Sequence, residues 1–246
     1  MRLQGKTAII TGAGSGFGAG IARRFAAEGA RVMVADINAA AASTVAAEIG
    51  GVAQPVDVAS GESVAAMAQA AMADWGHVDI LVNNAGVTHL PSPMEEISEA
   101  DFDRVLAVNA KSVYLTARHL VPVMKAQGAG AILNIASTAG VSPRPRLSWY
   151  NASKGWMITA TKAMAVELAP AGIRVNALNP VAGETPLLKS FMGEDTPEMR
   201  AKFLATIPLG RFSTPDDMAN AALFLCSDEA SMITGVAMEV DGGRCI

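Results

Sequence analysis

The sequence is poor in the residues that metal centres and disulfide frameworks need. It has only two cysteines and three histidines among 246 residues. Neither the cysteines, Cys226 and Cys245, nor the histidines, His77, His89 and His119, have the close spacing of a metal-ligating motif. We therefore predict no metal site and two free thiols, which are typical of a protein from a reducing compartment.

Long apolar runs and an excess of positive charge are also absent. No stretch of about 18 consecutive apolar residues exists, so no membrane span is predicted. The first residues, MRLQGKTAII, lead directly into a strand-like segment and lack the pattern of a secretion signal. The net charge is −4 with scattered cations, which argues against a nucleic-acid partner. These features predict a cytoplasmic globular protein.

What the sequence has instead is a regular alternation of short apolar runs and longer amphipathic runs. The apolar runs predict strands at residues 6–11, 31–35, 51–56, 79–82, 131–136, 174–178 and 235–240. The other runs predict helices at residues 16–28, 39–49, 60–74, from Ser98 onward, 111–127, 149–169 and 218–226. This alternation is typical of a doubly wound parallel sheet covered on both faces. We predict one α/β domain over residues 1–246, with a lid at residues 181–208.

A glycine-rich stretch, TGAGSGFG, joins the first predicted strand to the first predicted helix. Its glycines permit a tight turn and close approach of a pyrophosphate to the backbone, and the helix N-terminus offers free N–H groups. The alternative is a tight strand–helix turn without a ligand. The candidate cofactor-binding residues here are Gly12, Ser15, Gly16, Phe17 and Gly18.

An acidic residue at the end of the second predicted strand narrows the choice of cofactor. Asp36 lies 18 residues after Gly18, where a carboxylate can accept hydrogen bonds from the adenosine ribose hydroxyls. The same carboxylate would repel a 2′-phosphate, and neither Ser15 nor Ile37 supplies a cation to offset it. We therefore predict NAD(H) rather than NADP(H), with a solvated strand-end aspartate as the alternative.

Two further strand ends carry residues suited to the same cofactor. Asp57 and Val58 follow the third predicted strand, where they could contact the edge of the cofactor's adenine. The sequence NNAG follows the fourth, and its Asn84, Ala85 and Gly86 would pack closely beside a cofactor. An ordinary asparagine-rich turn explains NNAG equally well.

One ordered set of residues resembles a known family. The glycine-rich stretch, Asp57, NNAG, Asn109, Ser137 and the run YNASK occur in this order on one α/β pattern. Over essentially the whole chain, this pattern resembles the classical short-chain dehydrogenase/reductases. The resemblance implies a Rossmann-type sheet of about seven parallel strands with helices on both faces. It also implies a homotetramer packed through residues 98–127, residues 149–169 and the C-terminal strand.

The resemblance implies hydride transfer between a nicotinamide and an alcohol or ketone. Tyr150 would exchange a proton with the substrate oxygen, and Ser137 would orient that oxygen. Lys154 would hold the nicotinamide ribose, and Asn109 would fix a water that links Lys154 to solvent. Tyr150 and Lys154 are therefore candidates for both catalysis and cofactor binding.

The spacing of Tyr150 and Lys154 is physically suited to this role. They are four residues apart in a predicted helix, so they share a face. An ammonium about 4.5 Å from the phenol, in an effective dielectric of about 20, would favour the phenolate by roughly 3–4 kcal/mol. That lowers a tyrosine pKa by about 2–3. We predict that Lys154 brings the pKa of Tyr150 into the range of a general base.

The segment NPVAGET, after the sixth predicted strand, departs from the family pattern. The family usually has a glycine after the proline, with a threonine a few residues on, and this stretch contacts the nicotinamide amide. Here Val181 stands in the place of the glycine, so the backbone after Pro180 is in question. Pro180, Gly183 and Thr185 remain candidate cofactor-binding residues.

The substrate is the part of the function that the sequence constrains least. Arg144 and Arg146, in the loop before Tyr150, could bind a carboxylate, phosphate or sulfonate, or could be solvated surface residues. His89, Trp149 and the apolar residues of segment 187–203 are further pocket candidates.

Three functions fit these features. The first is an NAD-dependent dehydrogenase of a small-molecule alcohol, polyol or sugar-derived secondary alcohol. The second is a 3-oxoacyl-acyl-carrier-protein reductase; such enzymes usually prefer NADPH and carry a basic patch for the acidic carrier, whereas MKAQGAG at residues 124–130 has one cation. The third is a non-catalytic nucleotide-binding scaffold, which would have no reason to keep Ser137, Tyr150 and Lys154 together. The sequence favours the first.

Overall fold

Parallel strands form the centre of the fold. In the computed structural model, which describes residues 1–246, the strands are β1 (Thr7–Thr11), β2 (Arg31–Asp36), β3 (Val52–Pro55), β4 (Ile80–Asn83), β5 (Gly130–Ile135), β6 (Ile173–Pro180) and β7 (Ala237–Val240). They form one seven-stranded sheet in the order β3-β2-β1-β4-β5-β6-β7. Every neighbouring pair is parallel. The predicted doubly wound parallel sheet is confirmed.

Helices follow the strands in alternation. They are α1 (Gly16–Ala27), α2 (Ala39–Ile49), α3 (Gly61–Trp75), α4 (Glu99–Leu106), α5 (Ser112–Gln127), α6 (Ser148–Leu168), α7 (Leu188–Met192), α8 (Pro197–Leu204) and α9 (Pro215–Cys226). None of them combines the length and the low polarity that a membrane crossing requires.

Successive residues of the central strands supply two separate apolar cores. Ile10 and Val34 point into the core beneath α1, α2 and α9. Ile9 and Met33 point into the core beneath α3, α5 and α6. Because both faces of each central strand are buried, the strands read as continuous apolar runs rather than as alternating patterns.

The junction between α4 and α5 differs from the sequence prediction. The sequence predicts one helix from Ser98 and a separate one at residues 111–127. In the structure the two are joined without a loop, through a π turn at Ala107–Lys111. Inside this turn the buried Asn109 amide donates to the Val87 carbonyl at 2.9 Å and accepts from the Val87 N–H at 2.9 Å. The π turn therefore coincides with a tie between the helices and the loop after β4.

A chain of buried polar side chains joins α5 to α6 across β4 and β5, on one face of the sheet. Thr116 Oγ1, on α5, donates to Asn83 Oδ1 at 2.9 Å. Asn83 Nδ2 donates to Asn134 Oδ1 on the neighbouring strand at 2.9 Å, and Asn134 Nδ2 donates to Thr161 Oγ1, on α6, at 2.8 Å. All four side chains are buried. The first asparagine of NNAG therefore belongs to the interior of the fold and not to the surface of a site.

Residues 181–208 leave the sheet after β6 and contain α7 and α8. They have a small apolar cluster of their own, which includes Val181, Leu188, Met192 and Ile207. Leu187, Phe191 and Phe203 of this segment line a cleft at the carboxyl ends of the strands. The segment is thus placed where a lid would be, and its opening and closing stay a prediction.

We predict that Asn134→Leu lowers the free energy of unfolding by about 2–4 kcal/mol, because it leaves the side-chain N–H groups of Asn83 without a partner in the core and removes the hydrogen bond that the Thr161 hydroxyl accepts. Urea denaturation followed by circular dichroism measures this change. Asn179→Leu is the matched control, since Asn179 is buried on β6 but neither of its amide atoms has a partner in the protein. Equal losses in the two variants would contradict the prediction.

Candidate active site

A single cleft runs along the carboxyl ends of the strands. Its volume is about 460 Å³. It is centred where the strand order reverses, between β1 and β4, which is the usual ligand crevice of an open α/β sheet. Of the predicted cofactor-binding residues, those that line it are Gly12, Ser15, Gly16, Phe17, Asp36, Ile37, Asp57, Val58, Asn84, Ala85, Gly86, Tyr150, Lys154, Pro180, Gly183 and Thr185.

The glycine-rich loop is shaped by close contacts with its neighbours. Gly12 has a φ of +63°, and a Cβ there would lie 2.8 Å from the Ala85 Cα. Gly18 does not line the cleft; a Cβ there would collide with the Gly12 carbonyl oxygen. Asn84 Nδ2 donates to the Thr11 carbonyl at 2.9 Å and to the Gly12 carbonyl at 3.0 Å. Asn84 thereby fixes the loop against the end of β4.

These residues fit a dinucleotide. No side chain caps the first turn of α1, and that turn contains no acidic residue, so its N–H groups are free to receive a pyrophosphate. Gly12 and Gly16 have positive φ and lie against Ala85 and Thr185, so a side chain at either position would disturb the loop. The buried Val58 forms an apolar surface at the end of β3, where an adenine ring would lie.

The Asp36 side chain both binds the glycine-rich loop and lines the cleft. Its carboxylate accepts hydrogen bonds from the N–H groups of Gly14 at 2.8 Å and Asn38 at 2.9 Å. Its side chain also lines the cleft, beside Ile37, which is 74% exposed. The carboxylate is therefore held in a fixed position at the end of β2, and its remaining lone pairs can accept from a ligand.

Ser137, Tyr150 and Lys154 meet at the other end of the cleft. Ser137 follows β5, and its Oγ accepts from the Ala139 N–H at 3.1 Å. Tyr150 and Lys154 lie one turn apart on α6 and are 5% and 4% exposed. Lys154 Nζ donates to the Ile135 carbonyl at 2.8 Å and lies 5.9 Å from the centre of the Tyr150 ring. Three of the four predicted catalytic side chains thus line one wall.

Burial dominates the ionisation of this pair. It raises the pKa of Tyr150 to about 12, with the adjacent Ser137 hydroxyl acting in the opposite direction. Burial also lowers the pKa of Lys154 to about 8. The prediction that Lys154 brings the pKa of Tyr150 into the range of a general base is wrong for the unliganded chain. The loss of hydration disfavours the charged phenolate more than the hydrogen bond with Ser137 favours it.

Asn109 lies behind the cleft rather than in its wall. It is fully buried, and its Nδ2 donates to Ser153 Oγ at 3.0 Å as well as to Val87. A Cβ on Gly86 would lie 3.4 Å from Lys154 Nζ and 3.6 Å from Asn109 Oδ1, so the two side chains face the same small space. A water bound there by Asn109 stays a prediction.

The segment after β6 accommodates Val181 without strain. Val181 is buried in the apolar cluster of the lid, and its φ is not in the left-handed region. Gly183 lies against the ring of Phe17, where a Cβ would collide with the ring. The Thr185 side chain faces Gly16, at 3.2 Å from the position of a Cβ there. The valine therefore anchors the lid while the next residues still reach the glycine-rich loop.

Of the individually named substrate candidates, His89, Arg144, Arg146 and Trp149, the structure brings only Arg144 to the cleft. His89 is buried beside it, in a second cavity, with Nδ1 at 2.8 Å from the Leu90 carbonyl. Trp149 Nε1 donates to the Met94 carbonyl at 3.2 Å, so the indole has a structural contact. Arg146 is exposed, with a φ of +67°. The apolar residues of segment 187–203 that reach the cleft are Leu187, Phe191 and Phe203.

Sequence reasoning missed one residue near the site. Arg244, close to the C-terminus, donates from Nη1 to Ser142 Oγ at 3.1 Å, across 102 positions of sequence. Its charge also acts on Arg144. No local pattern could have revealed this proximity, because it depends on how the C-terminal segment folds back after β7.

Comparisons with known proteins agree with this geometry. The family model described as Enoyl-(Acyl carrier protein) reductase matches residues 12–244. The 4-formylbenzenesulfonate dehydrogenase of Comamonas testosteroni is 50% identical over 100% of both chains. The chain belongs to the short-chain dehydrogenase/reductase family. The predicted resemblance is confirmed.

Two further short-chain dehydrogenase/reductases show the range of this family. The D-threitol dehydrogenase of Mycolicibacterium smegmatis is 41% identical and is matched over 100% of this chain and 95% of its own. The crystal structure of 3-ketoacyl-(acyl-carrier-protein) reductase from Brucella melitensis complexed with NADH has 54% identity and a TM-score of 0.94. That match covers 99% of this chain and 100% of the other.

Proposed function

We propose that this protein is an NAD(H)-dependent oxidoreductase that moves a hydride between the nicotinamide and an alcohol or ketone. The observation that carries the proposal is the burial of Ser137, Tyr150 and Lys154 together at one end of a cleft whose other end is a glycine-rich loop. Proton donors and acceptors placed beside a dinucleotide cradle are what reversible carbonyl reduction requires.

The chain's own residues carry the proton transfer. A bound nicotinamide would supply or accept the hydride. In reduction, the Tyr150 hydroxyl donates its proton to the carbonyl oxygen as negative charge builds there. In oxidation, the Tyr150 phenolate accepts the proton of the substrate hydroxyl, and the Lys154 charge stabilises that phenolate. The Ser137 hydroxyl donates a hydrogen bond to the substrate oxygen and holds it near Tyr150.

The charges that line the cleft support NAD(H) over NADP(H). The acidic lining residues, Asp36 and Asp57, are at the ends of β2 and β3. The cationic lining residues, Arg144 and Lys154, are in the segment from β5 into α6. A 2′-phosphate near Asp36 would therefore meet a carboxylate and no cation. The NADH in the Brucella melitensis complex is consistent with this choice.

For the substrate, we propose a small alcohol, polyol or sugar-derived alcohol, or its carbonyl product. The names of the Comamonas and Mycolicibacterium relatives, which refer to small aldehyde and polyol substrates, support this. The alternative, a 3-oxoacyl-acyl-carrier-protein reductase, is favoured by the name of the Brucella structure. Against the alternative, residues 124–130 contain only Lys125 as a cation for an acidic carrier.

We propose a homotetramer, as the family resemblance implies. Large apolar side chains are exposed on the helices expected at the interfaces. Tyr114 on α5 is 51% exposed, and Trp156 and Val166 on α6 are 44% and 80% exposed. Association through α5 and α6 would remove these side chains from water.

We predict that Tyr150→Phe lowers kcat about 10²- to 10⁴-fold, because the phenyl ring cannot exchange a proton. Turnover is followed by NADH absorbance with D-threitol and 4-formylbenzenesulfonate among the tested substrates, and NADH binding by fluorescence titration. NADH binding should persist, since the ring that contacts Phe191 remains. Tyr114→Phe, which alters the only other tyrosine, is the control and should turn over normally. A fully active Tyr150→Phe enzyme would rule out the acid–base role.

We predict a higher kcat/KM with NAD than with NADP, and a preference reduced about 10- to 100-fold in Asp36→Asn, because a charged hydrogen bond contributes about 1.5–3 kcal/mol. The measurement compares both cofactors on one accepted alcohol. Asp57→Asn is the control, and it should change kcat/KM with NAD and kcat/KM with NADP by similar factors. A wild-type preference for NADP would contradict the prediction.

We predict that the protein elutes from gel filtration, with light-scattering detection, at about four times its chain mass of 25.3 kDa. Val166→Glu should shift the elution toward smaller species, because it introduces a charge into a buried interface. Exposed Val52 is the matched site, and Val52→Glu on the edge strand β3 should leave the mass unchanged. A monomeric wild type would contradict the tetramer.

A further inference from the structure

Arg144 is a cation of the cleft that has no carboxylate partner. Seven of the chain's other arginines form ion pairs with Asp or Glu: Arg2, Arg23, Arg24, Arg31, Arg104, Arg200 and Arg211. Lys154, the other cation of the cleft, donates to a main-chain carbonyl. Arg144 Nη2 donates only to Thr206 Oγ1, at 3.2 Å. Most of its five guanidinium N–H donors are therefore available to a ligand.

The guanidinium of Arg144 is held in place by the structure around it. Its Cζ lies 4.3 Å from the centre of the Phe203 ring. Its own carbonyl accepts a hydrogen bond from Asn151 Nδ2, on α6, at 2.7 Å, which fixes the loop to the catalytic helix. A cation held by aromatic stacking and by its backbone, rather than by an acid, keeps its full charge for a ligand.

A second guanidinium reinforces this positive charge. Arg244 donates to Ser142 Oγ from the C-terminal segment, and its buried Nε has no partner. It also forms no ion pair. Burial and the charge of Arg244 together lower the pKa of Arg144 to about 10. Two neighbouring guanidiniums without a carboxylate repel each other, and a bound anion would remove that repulsion.

The surface around Arg144 and Tyr150 is apolar. Leu147, Phe191 and Phe203 line the cleft together with these two residues. The ring of Phe191 meets that of Tyr150 edge to face at 5.0 Å, and the ring of Phe203 lies under the Arg144 guanidinium. A substrate with one end at Tyr150 and the other at Arg144 would therefore contact aromatic and aliphatic side chains in between.

We propose that Arg144, reinforced by Arg244, is an anion subsite that selects substrates with a carboxylate or sulfonate separated by a flat apolar body from the reacting alcohol or carbonyl carbon. This inference rests on the proposed function, because it assigns the far end of the same substrate. The anionic group takes no part in the reaction. In oxidation, the carbon–hydrogen bond gives its hydride to the nicotinamide and the hydroxyl gives its proton to Tyr150.

The simpler role for Arg144 is to fasten the lid, since both Phe203 and Thr206 belong to residues 181–208. The two roles differ in a measurable way. Loss of a fastening contact would weaken neutral and anionic ligands by similar factors. Loss of an anion subsite would weaken only the anionic ones.

The test measures the binding of ketone pairs that differ in charge but little in shape. The pairs are 4-acetylbenzenesulfonate with 4-acetylbenzenesulfonamide, and 4-acetylbenzoate with 4-acetylbenzamide. Each is titrated calorimetrically into enzyme saturated with NAD⁺, with which a ketone cannot react. The wild type should bind at least one anion about tenfold more tightly than its neutral partner, as a charge-assisted hydrogen bond predicts. The sulfonate and carboxylate pairs distinguish the two kinds of anion.

Three variants identify the residue that gives the preference for anionic ligands. The anion-to-neutral ratio is the affinity for an anion divided by the affinity for its neutral partner. Arg144→Gln should bring this ratio close to one while the neutral ligands and NAD⁺ bind as before. Arg244→Gln should reduce the ratio by a smaller factor. Arg146→Gln, two residues away on the exposed side of the loop, should keep the wild-type ratio. The inference is overturned if the wild type shows no preference for an anion, if no anion binds, or if Arg144→Gln keeps the preference.

The acid–base role of Tyr150 and the anion subsite at Arg144 can fail independently of each other. Tyr150→Phe removes the proton donor but leaves Arg144 in place, so it should keep the anion-to-neutral ratio. An active Tyr150→Phe enzyme with a normal ratio would count against the acid–base role alone. A wild-type enzyme that needs Tyr150 but ignores the charge of the ligand would count against the anion subsite alone.

Discussion

The reversal of strand order between β1 and β4 determines where the cleft opens and which strand ends border it. The connections from these adjacent strands leave toward opposite faces of the sheet, so a crevice opens at their carboxyl ends. Asn84 holds the two sides together through the carbonyls of Thr11 and Gly12. The glycine-rich loop, the acidic strand ends and the helix α6 all border this crevice, at the carboxyl edge of the sheet.

The order of the strands also sets the order of charges along the crevice. Asp36 and Asp57 border it at the β2–β3 side, whereas Lys154 and Arg144 border it beyond β5. A parallel sheet brings the carboxyl ends of all its strands to one edge. Charged residues that are far apart in sequence therefore lie along one crevice, and the electrostatic potential changes sign along it. Such a gradient suits a neutral ribose at the acidic end and an anion at the cationic end.

Burial controls the ionisation of Tyr150 and Lys154. The same packing that places Tyr150 and Lys154 in the cleft removes both from water, and this raises the pKa of the phenol while it lowers the pKa of the ammonium. The unliganded site therefore favours a neutral phenol, which is the form that donates a proton to a carbonyl.

Periodicity and short motifs in the sequence were sufficient to predict the strands and the glycine-rich turn, because these features depend on residues close to one another along the chain. The grouping of Ser137 with Tyr150 and Lys154 was predicted from the family resemblance. Only the tertiary structure could separate Arg144 from Arg146, because two residues of one loop differ here by which side faces the cleft. The proximity of Arg244 and the burial that controls Tyr150 depend on contacts between distant segments, and spacing along the chain carries no record of such contacts.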